Sequence, residues 1–379
     1  MAKIIIFDFL SDPMGGLLTS ARAFLRRVRR FDSDTRIVVL ELNGSISSSI
    51  ENSAEFEWVN IQKPGGWSGW RRMLWQNMNL PSLIRQYEAG VYVSLSHYLP
   101  WTIPGHVKTI VGVSNLAPFS QDAYRAEIKL SKKLRLLMLR RGIVSAARRA
   151  DRVIALSETC LGELTCRDVP LEKISVVPNG VDFPVSQAGE GEAICAMEGE
   201  FILCVSHFYR YKNYERLVRG YALLPESLRQ RYRLLLVGRP YDAAYFESIK
   251  QLVAHLNLTE RVSLIAGLYG AELSTHYRRC AMFVFPTLIE NSPITLLEAM
   301  AHGAPVAAAD IPAMREFGGN AVMYFDPHSE MAMAKAMEAM LVDAAARDRL
   351  RALGSQRAQQ YTWDGFTEKL VLLYRKVSV

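Results

Sequence analysis

In the stretch TLIENSPITLLEAMAHGAPVAAAD, residues 287–310, two glutamates, Glu290 and Glu298, interrupt an apolar, Ala-rich run. AMFVFP just before it reads as a buried strand. Ser292 followed by Pro293 is an N-cap and first-turn signature, so a helix is expected to start there. Gly303 ends that helix and Pro305 blocks its extension. Glu290 then lies in the loop above the strand, and Glu298 lies about two turns on, inside the helix. The helix start between them offers unpaired N–H groups and a positive dipole end, which suit a phosphate. A carboxylate beside such a place can accept hydrogen bonds from sugar or ribose hydroxyls. Taken alone, the two glutamates could equally be surface carboxylates.

Gly15-Gly16, after the apolar run KIIIFDFL, is a second candidate for phosphate. Paired glycines between a strand and a helix let backbone N–H groups come close to an anion, although a plain turn explains them as well. The five cysteines, Cys160, Cys166, Cys195, Cys204 and Cys280, form no CxxC pair and no Cys/His cluster of zinc spacing. They read as reduced thiols of a cytosolic protein, and most simply as small buried hydrophobes.

The elements that must position these residues follow a repeating plan. KIIIFDF, RIVVLEL, GVYVSL, KTIVGV, RVIALS and ISVVPNG are short β-rich runs separated by polar or helical stretches. FILCVSHF, YRLLLVG, RVSLIAG, AMFVFPT and APVAAAD form a second series. Strands alternating with helices argue for parallel sheets, and two series argue for two tandem, doubly wound, Rossmann-like α/β domains facing a central cleft. The expected boundaries are residues 1–183 for the first domain and 184–199 for a Gly/Glu-rich linker. Residues 200–355 make the second domain, and a closing helix lies within 356–379. In that last segment Trp363, Phe366, Leu370, Leu373 and Tyr374 recur at helical spacing. At 379 residues the chain suits two cores better than one.

The net charge is +7, and it is uneven. Residues 1–190 hold 24 Lys/Arg against 18 Asp/Glu, whereas residues 191–379 hold 21 against 20. The first half is therefore expected to meet an acidic partner. Residues 124–150 carry nine Lys/Arg and one Glu, with Leu130, Leu134, Leu137 and Val144 along one helical stripe. Arg125, Lys129, Lys132, Lys133 and Arg140 fall on another face. Such a helix can lie on an anionic membrane, and ARAFLRRVRR (21–30) with GGWSGWRRMLW (65–75) adds arginines and tryptophans. A solvated helix over the core is the alternative. No apolar run is long enough to span a bilayer, and MAKIIIFDFLSD reads as a first strand, not a signal peptide.

E-x7-E on a strand–loop–helix, followed by A-x-G-x-P-V, resembles the donor-site signature of the family 4 retaining glycosyltransferases. Supporting elements stand in the right order: Gly15-Gly16, SVVPNGVD (175–182), YKNYERLV after the first strand of the second half, and the final YTW…LLYRKV. The resemblance implies the GT-B fold and no metal cofactor. By position it implies that Glu290, with the backbone around Asn291 and Ser292, holds the transferred sugar. Glu298 would take the ribose hydroxyls, and Lys212 would neutralise the departing diphosphate. Where the family often has Gly-Arg, this chain has Ser206-His207, so Arg210 is the candidate for the missing charge. Gly15 and Gly16 would face the diphosphate and acceptor. Asp32-Ser33-Asp34 spells the D-x-D metal motif of the other large glycosyltransferase fold, but it stands where a polar turn is expected.

One departure concerns the acceptor side. Relatives carry a His-Asp pair after the strand that KTIVGV matches, and here Ser114 and Asn115 follow it. Either these replace the pair or His97, in SLSHYLP, serves instead. The function implied is transfer of a sugar, mannose by overall resemblance, from a GDP- or UDP-linked donor. The acceptor would be a lipid-linked or polysaccharide glycan at the cytosolic face of an anionic membrane, with the enzyme peripheral. Three rivals remain: a nucleotide-sugar epimerase, a non-catalytic scaffold of the same fold, and a nucleic-acid-binding protein. The last is disfavoured by the absence of a recognition motif.

Overall fold

The computed structural model describes residues 4–10, 15–62, 69–184 and 200–377. The linker expectation at 184–199 and Cys195 thus fall, apart from Pro184, outside the described residues, as do Gly65, Gly66 and Trp67 of the tryptophan-rich stretch. Two compact units are present. The first comprises Met1–Phe119, Leu134–Gly180 and Trp363–Val379, and the second Ser120–Lys133 and Val181–Thr362.

The first unit is built on β1 (Ile4–Asp8), β2 (Arg36–Leu42), β3 (Glu57–Ile61), β4 (Val91–Ser94), β5 (Lys108–Val113), β6 (Arg152–Ala155) and β7 (Ile174–Val176). They form one parallel sheet in the order β3-β2-β1-β4-β5-β6-β7, with Ile5 opposite both Ile37 and Val91. Helices α1 (Gly16–Phe31), α2 (Gly69–Tyr87), α3 (Gln121–Ala126), α4 (Leu130–Arg149) and α5 (Glu158–Thr165) occur along this part of the chain, of which α3 and the first turn of α4 belong to the second unit. The residue before α1, Gly15, has φ 59 and ψ −133, a conformation that an L side chain resists, so a glycine is needed where β1 turns into the helix.

The second unit begins with β8 (Glu200–Val205), then α6 (Tyr214–Ala222), α7 (Glu226–Arg231), β9 (Tyr232–Val237), α8 (Ala243–His255), β10 (Val262–Ile265) and α9 (Gly270–Arg279). It continues with β11 (Met282–Phe285), α10 (Ile294–Ala301), β12 (Val306–Ala309), α11 (Pro312–Gly318), β13 (Val322–Phe325), α12 (Glu330–Val342) and α13 (Ala344–Ala358). The six parallel strands run in the order β10-β9-β8-β11-β12-β13. Alternate residues feed opposite faces: Ile202, Cys204, Leu234, Leu236 and Val284 join one core, and Phe201, Leu203, Leu235, Val237 and Phe285 the other. A sheet covered on both faces needs apolar residues at every position, which is why these strands read as continuous hydrophobic runs.

The edge strands β3 and β13 are absent from the two series read in the sequence. Both carry partly exposed residues, and Glu57 and Asn60 in β3 break the apolar run. A second difference lies in the basic segment. It is not one helix: α3 is capped by the Ser120 hydroxyl and ends at Glu127, whose extended backbone (φ −77, ψ 129) separates it from α4. Lys132, at the start of α4, pairs with Asp242 at 2.6 Å, both residues lying within the second unit.

The last helix, α14 (Trp363–Val377), closes the first unit and buries Trp363, Phe366, Leu370, Leu373 and Tyr374. Its clamp is Asp32, in the Asp32-Ser33-Asp34 turn after α1. The Tyr374 hydroxyl donates to Asp32 Oδ2, and Arg375 Nη2 donates to Oδ1 at 2.9 Å. Burial alone would raise the Asp32 carboxyl, but hydrogen bonds from Arg375, Thr35 and Tyr374 bring it down to about 2. A carboxylate depressed by folding stabilises above its unfolded value, and that stability is lost as pH falls through the folded one. Asp32→Asn should therefore cost about 2 kcal/mol at neutral pH. Urea titrations should show the difference between variant and wild type shrinking between about pH 4 and about pH 2.

Candidate functional site

In the second sheet the strand order reverses between β8 and β11, and ligands of open parallel sheets bind beyond the carboxyl ends at such points. Three loops leave strands here. Ser206 and His207 follow β8, Gly238 and Arg239 follow β9, and Thr287–Glu290 belong to the loop after β11. The first and second loops touch closely: a Cβ on Gly238 would come within 1.7 Å of the Ser206 carbonyl oxygen. Gly238→Ala should therefore cost about 3 kcal/mol or more, as a fall in the unfolding midpoint will show.

A short 3-10 turn, Arg210–Lys212, crosses to the β11 loop. Asn213, in left-handed conformation (φ 65), donates from Nδ2 to the carbonyls of Pro286 and Pro327 at 3.0 and 2.8 Å. The Leu288 N–H donates to the Tyr211 carbonyl at 2.8 Å. These bonds bring Lys212 to Glu290, which form a half-buried ion pair. Asn291 and Ser292 are buried behind them. The helix α10 starts at Ile294, one residue later than the Ser-Pro signature suggested, with Pro293 at the cap position and no side-chain cap. Gly303 (φ 74) terminates it, as expected from the sequence.

Glu298, in the second turn of α10, accepts from the Tyr277 hydroxyl at 3.1 Å. Burial pushes its carboxyl up to about 7, against the pull of that hydroxyl, and the Asp182 carboxylate adds to the rise. The group is thus an acceptor with its hydrogen-bonding capacity only partly used. Its folded-state value lies above its unfolded one, so stability drops as pH rises from about 4.5 through about 7. Glu298→Gln should lose that dependence and gain on wild type across this range, measured as the difference in unfolding midpoints.

The candidates for positive charge separate. His207 is held down to about 4 by burial, with Lys212 and Arg239 contributing, and its ring packs edge-on against Tyr241 at 4.8 Å. It is neutral at pH 7 and supplies no cation. Arg210 lays its guanidinium over the Tyr245 ring at 5.1 Å. Arg239, which the sequence reading missed, is exposed, bonds the Tyr269 hydroxyl at 2.6 Å, and lies at the carboxyl end of β9. An arginine directly after VG at the end of a strand was the signal available in the sequence.

The first unit carries a polar site of a different kind at its own reversal point, between β1 and β4. Asp8, buried at the end of β1, accepts from the Tyr92 hydroxyl and from Gln76 Nε2 at 2.6 Å. His97 sits in left-handed conformation (φ 54) after β4, and its N–H donates to Gly112 of β5 at 3.0 Å. Its ring is held to about 4 by burial, with Arg72 next in effect. His97 Nδ1, Gln76 Oε1 and Arg72 Nε are all buried without a protein partner, so this pocket of polar groups lacks something to bond. Ser114 directly follows β5. Asn115 is committed to a turn, accepting from the Ala117 N–H at 2.9 Å. Gly15 and Gly16 start α1; Ser20 bonds the Gly16 carbonyl and Asn179 of the SVVPNGVD motif. Among the described residues no cluster of three His, Cys, Asp or Glu is placed to hold a metal.

Comparison with known proteins agrees with this plan. Two family models match, Glycosyltransferase Family 4 over residues 14–183 and Glycosyl transferases group 1 over residues 195–357. The chain belongs to the family 4 glycosyltransferases. Serotype-specific mannosyltransferase WbdA of Escherichia coli is 29% identical over 240 residues, 59% of this chain and 29% of that protein. The chain thus matches less than a third of that relative's length. Among solved structures, sucrose-phosphate synthase of Thermosynechococcus elongatus superposes with a TM-score of 0.78 at 19% identity, over 99% of both chains. Anabaena HepE, solved with UDP and glucose, gives 0.74 at 16%, over 99% of this chain and 100% of that one. At these identities the solved structures speak to the fold, two Rossmann-like domains of the GT-B plan. Within this family 4 chain, the E-x7-E pair is Glu290 and Glu298.

Proposed function

We propose that this family 4 glycosyltransferase moves a sugar from a nucleoside-diphosphate sugar to a lipid-linked or polysaccharide glycan, with retention of configuration and without metal. The observation that carries the reading is the convergence of Lys212, Glu290, Glu298 and the start of α10 at the carboxyl ends of β8 and β11. Glu298 accepts ribose hydroxyls with its unused lone pairs. A diphosphate arriving beside Lys212 competes for its ammonium, which frees Glu290 to accept hydroxyls of the transferred sugar. The backbone around Asn291 and Ser292 completes that pocket. As the glycosyl–phosphate bond breaks, negative charge grows on the leaving oxygen, and Lys212 stabilises it, with Arg239 and Arg210 as the further cations in reach of the same loops. The acceptor proton passes to the donor phosphate on the same face of the sugar. A side-chain base is then unnecessary, which agrees with two histidines, His97 and His207, whose protons are lost well below neutrality.

In this reading the acceptor sugar satisfies His97, Gln76 and Arg72 in the first unit, with Ser114 and the Gly15-Gly16 turn nearby. The mannosyltransferase relative supports mannose, hence GDP-mannose, as donor; the UDP and glucose of the HepE complex make UDP-glucose the competing choice. Surface polysaccharide synthesis at the cytosolic membrane face is the setting that fits such relatives.

Thermal unfolding with UDP, GDP, ADP and their sugar conjugates, with and without EDTA, tests the donor site. At about 100 times its Kd, the right nucleotide should add roughly 2.7 kcal/mol of stability. The shift should survive EDTA and vanish in Glu298→Ala. Affinity should also rise with pH through about 7, because hydroxyl donors bind the ionised Glu298. Absence of a shift with every nucleotide would overturn the transferase assignment.

A further inference from the structure

Within the first unit, a groove of about 950 Å³ opens between the end of α4, the turn after α5 and the loop after β4. Arg140, Arg141, Arg148, Arg149 and Arg167 line it, with Trp101. It sits at the amino ends of β6 and β7, the opposite end of the sheet from Gly15 and His97, so it is no part of the acceptor pocket.

Part of this charge has a structural purpose. Arg148 bonds the Arg167 carbonyl at 2.8 Å and Asp168 at 2.9 Å, and Arg167 bonds Glu163 at 2.7 Å. Cations in the last turn of α4 also favour its dipole. These reasons do not reach Arg140 and Arg141, two turns earlier, which make no hydrogen bond or ion pair among the described residues. Nor do they explain Arg149. Its Nη atoms donate to the Leu99 and Pro100 carbonyls, its guanidinium lies 3.7 Å from the centre of the Trp101 ring, and its buried Nε has no partner. Three of the five arginines therefore face the groove without a carboxylate, an arrangement that an anion completes.

The neighbourhood indicates which anion. Leu134, Met138, Arg141, Ser145 and Arg148 follow one another at spacings of four and three on α4, forming a single stripe. Its cationic half lines the groove, and its apolar half is exposed, Leu134 at 56% and Met138 at 64%. Trp101 is 66% exposed and is tied through its N–H to Asn77 of α2 at 2.8 Å. On that helix Trp70, Met73, Leu74 and Met78 are exposed as well. A soluble phosphate would need the arginines alone. An exposed apolar border beside them matches a molecule with a charged head and a hydrocarbon tail.

We propose that the arginine groove binds the phosphate of an anionic phospholipid headgroup, while Met138, Leu134 and Trp101 enter the adjoining apolar layer. The inference rests on the membrane-face setting proposed above and names the place where the enzyme meets it.

Co-sedimentation of the full chain with vesicles tests this, comparing phosphatidylglycerol-containing with pure phosphatidylcholine vesicles. Binding should require phosphatidylglycerol and fall roughly tenfold or more in Arg140→Glu/Arg141→Glu, whose side chains support nothing else in the fold. Lys335→Glu/Arg349→Glu, an equal change of charge at exposed positions of the second unit, should bind like wild type. Met138→Gln should weaken binding to a smaller degree. Nucleotide-induced thermal shifts should persist in all these variants, so loss of the lipid site is distinguishable from loss of the donor site. Equal weakening by both double variants would overturn the groove in favour of net charge. Indifference to phosphatidylglycerol would overturn it outright. Release from vesicles by glycerol phosphate or by a single-stranded oligonucleotide at matched phosphate concentration would reassign it to a soluble ligand or to nucleic acid.

Discussion

The candidate donor site depends on one buried amide. Asn213 gathers three loops of the second sheet: its own, which leaves β8, and those after β11 and β13, whose proline carbonyls it bonds. Proline ends those strands without a donor of its own, so its carbonyls need partners brought from elsewhere. The left-handed backbone at Asn213 lets the chain turn out of Arg210–Lys212 into α6 while the amide points inward. Removing the side chain would orphan two buried carbonyls at about 1–3 kcal/mol each. It would also release Lys212 from Glu290. The reach of a lysine across two loops is thus set by a neighbour that touches no ligand.

Electrostatics follows from that geometry. Burial, with Lys212 and Arg239 adding to it, depresses His207, so the residue that replaces an arginine in the family pattern is neutral. The Glu298 carboxyl is raised instead, by burial first and by the Asp182 carboxylate second. Within this unit, cations gather beside β8 and β9 while the acceptor with a raised pKa stands on α10. A ligand with a charged diphosphate at one end and hydroxyls at the other matches this division better than a uniformly charged one.

The sequence made some of this legible and hid the rest for identifiable reasons. The central strands were readable because burial on both faces leaves uninterrupted β-branched and aromatic runs. The edge β3 was not, because Glu57 and Asn60 interrupt its apolar run; β13, apolar throughout, was passed over although the other edges, β7 and β10, were read. Glu290, Glu298 and the Gly303 stop lie within one local motif, where spacing alone sets geometry. Arg239 was overlooked because it comes to the β8 loop only through sheet order, β9 beside β8. The break between α3 and α4 was missed for a related reason: the apolar and basic spacing continues across Glu127–Lys129, and only the backbone shows the gap. Asp32 illustrates the converse, since a turn was expected, but its bonds to Tyr374 and Arg375 span more than 340 positions of sequence.

The two sheets share a plan and differ in what stands at their reversal points. Where β8 meets β11, Lys212 faces the Glu290 carboxylate. Where β1 meets β4, the available groups are a buried aspartate engaged by Tyr92, Gln76 and the Leu10 N–H, a neutral histidine, and one amide oxygen and one guanidinium nitrogen without partners. An unpaired buried Gln76 Oε1 is costly unless a donor reaches it, and an unpaired Arg72 Nε needs an acceptor. A hydroxyl is both donor and acceptor, so a sugar can satisfy the two together where a phosphate can satisfy only the second. The unsatisfied atoms thus support the proposal that the first unit takes the neutral, hydroxyl-rich substrate and the second the diphosphate. That assignment follows from hydrogen-bond accounting within each unit taken separately.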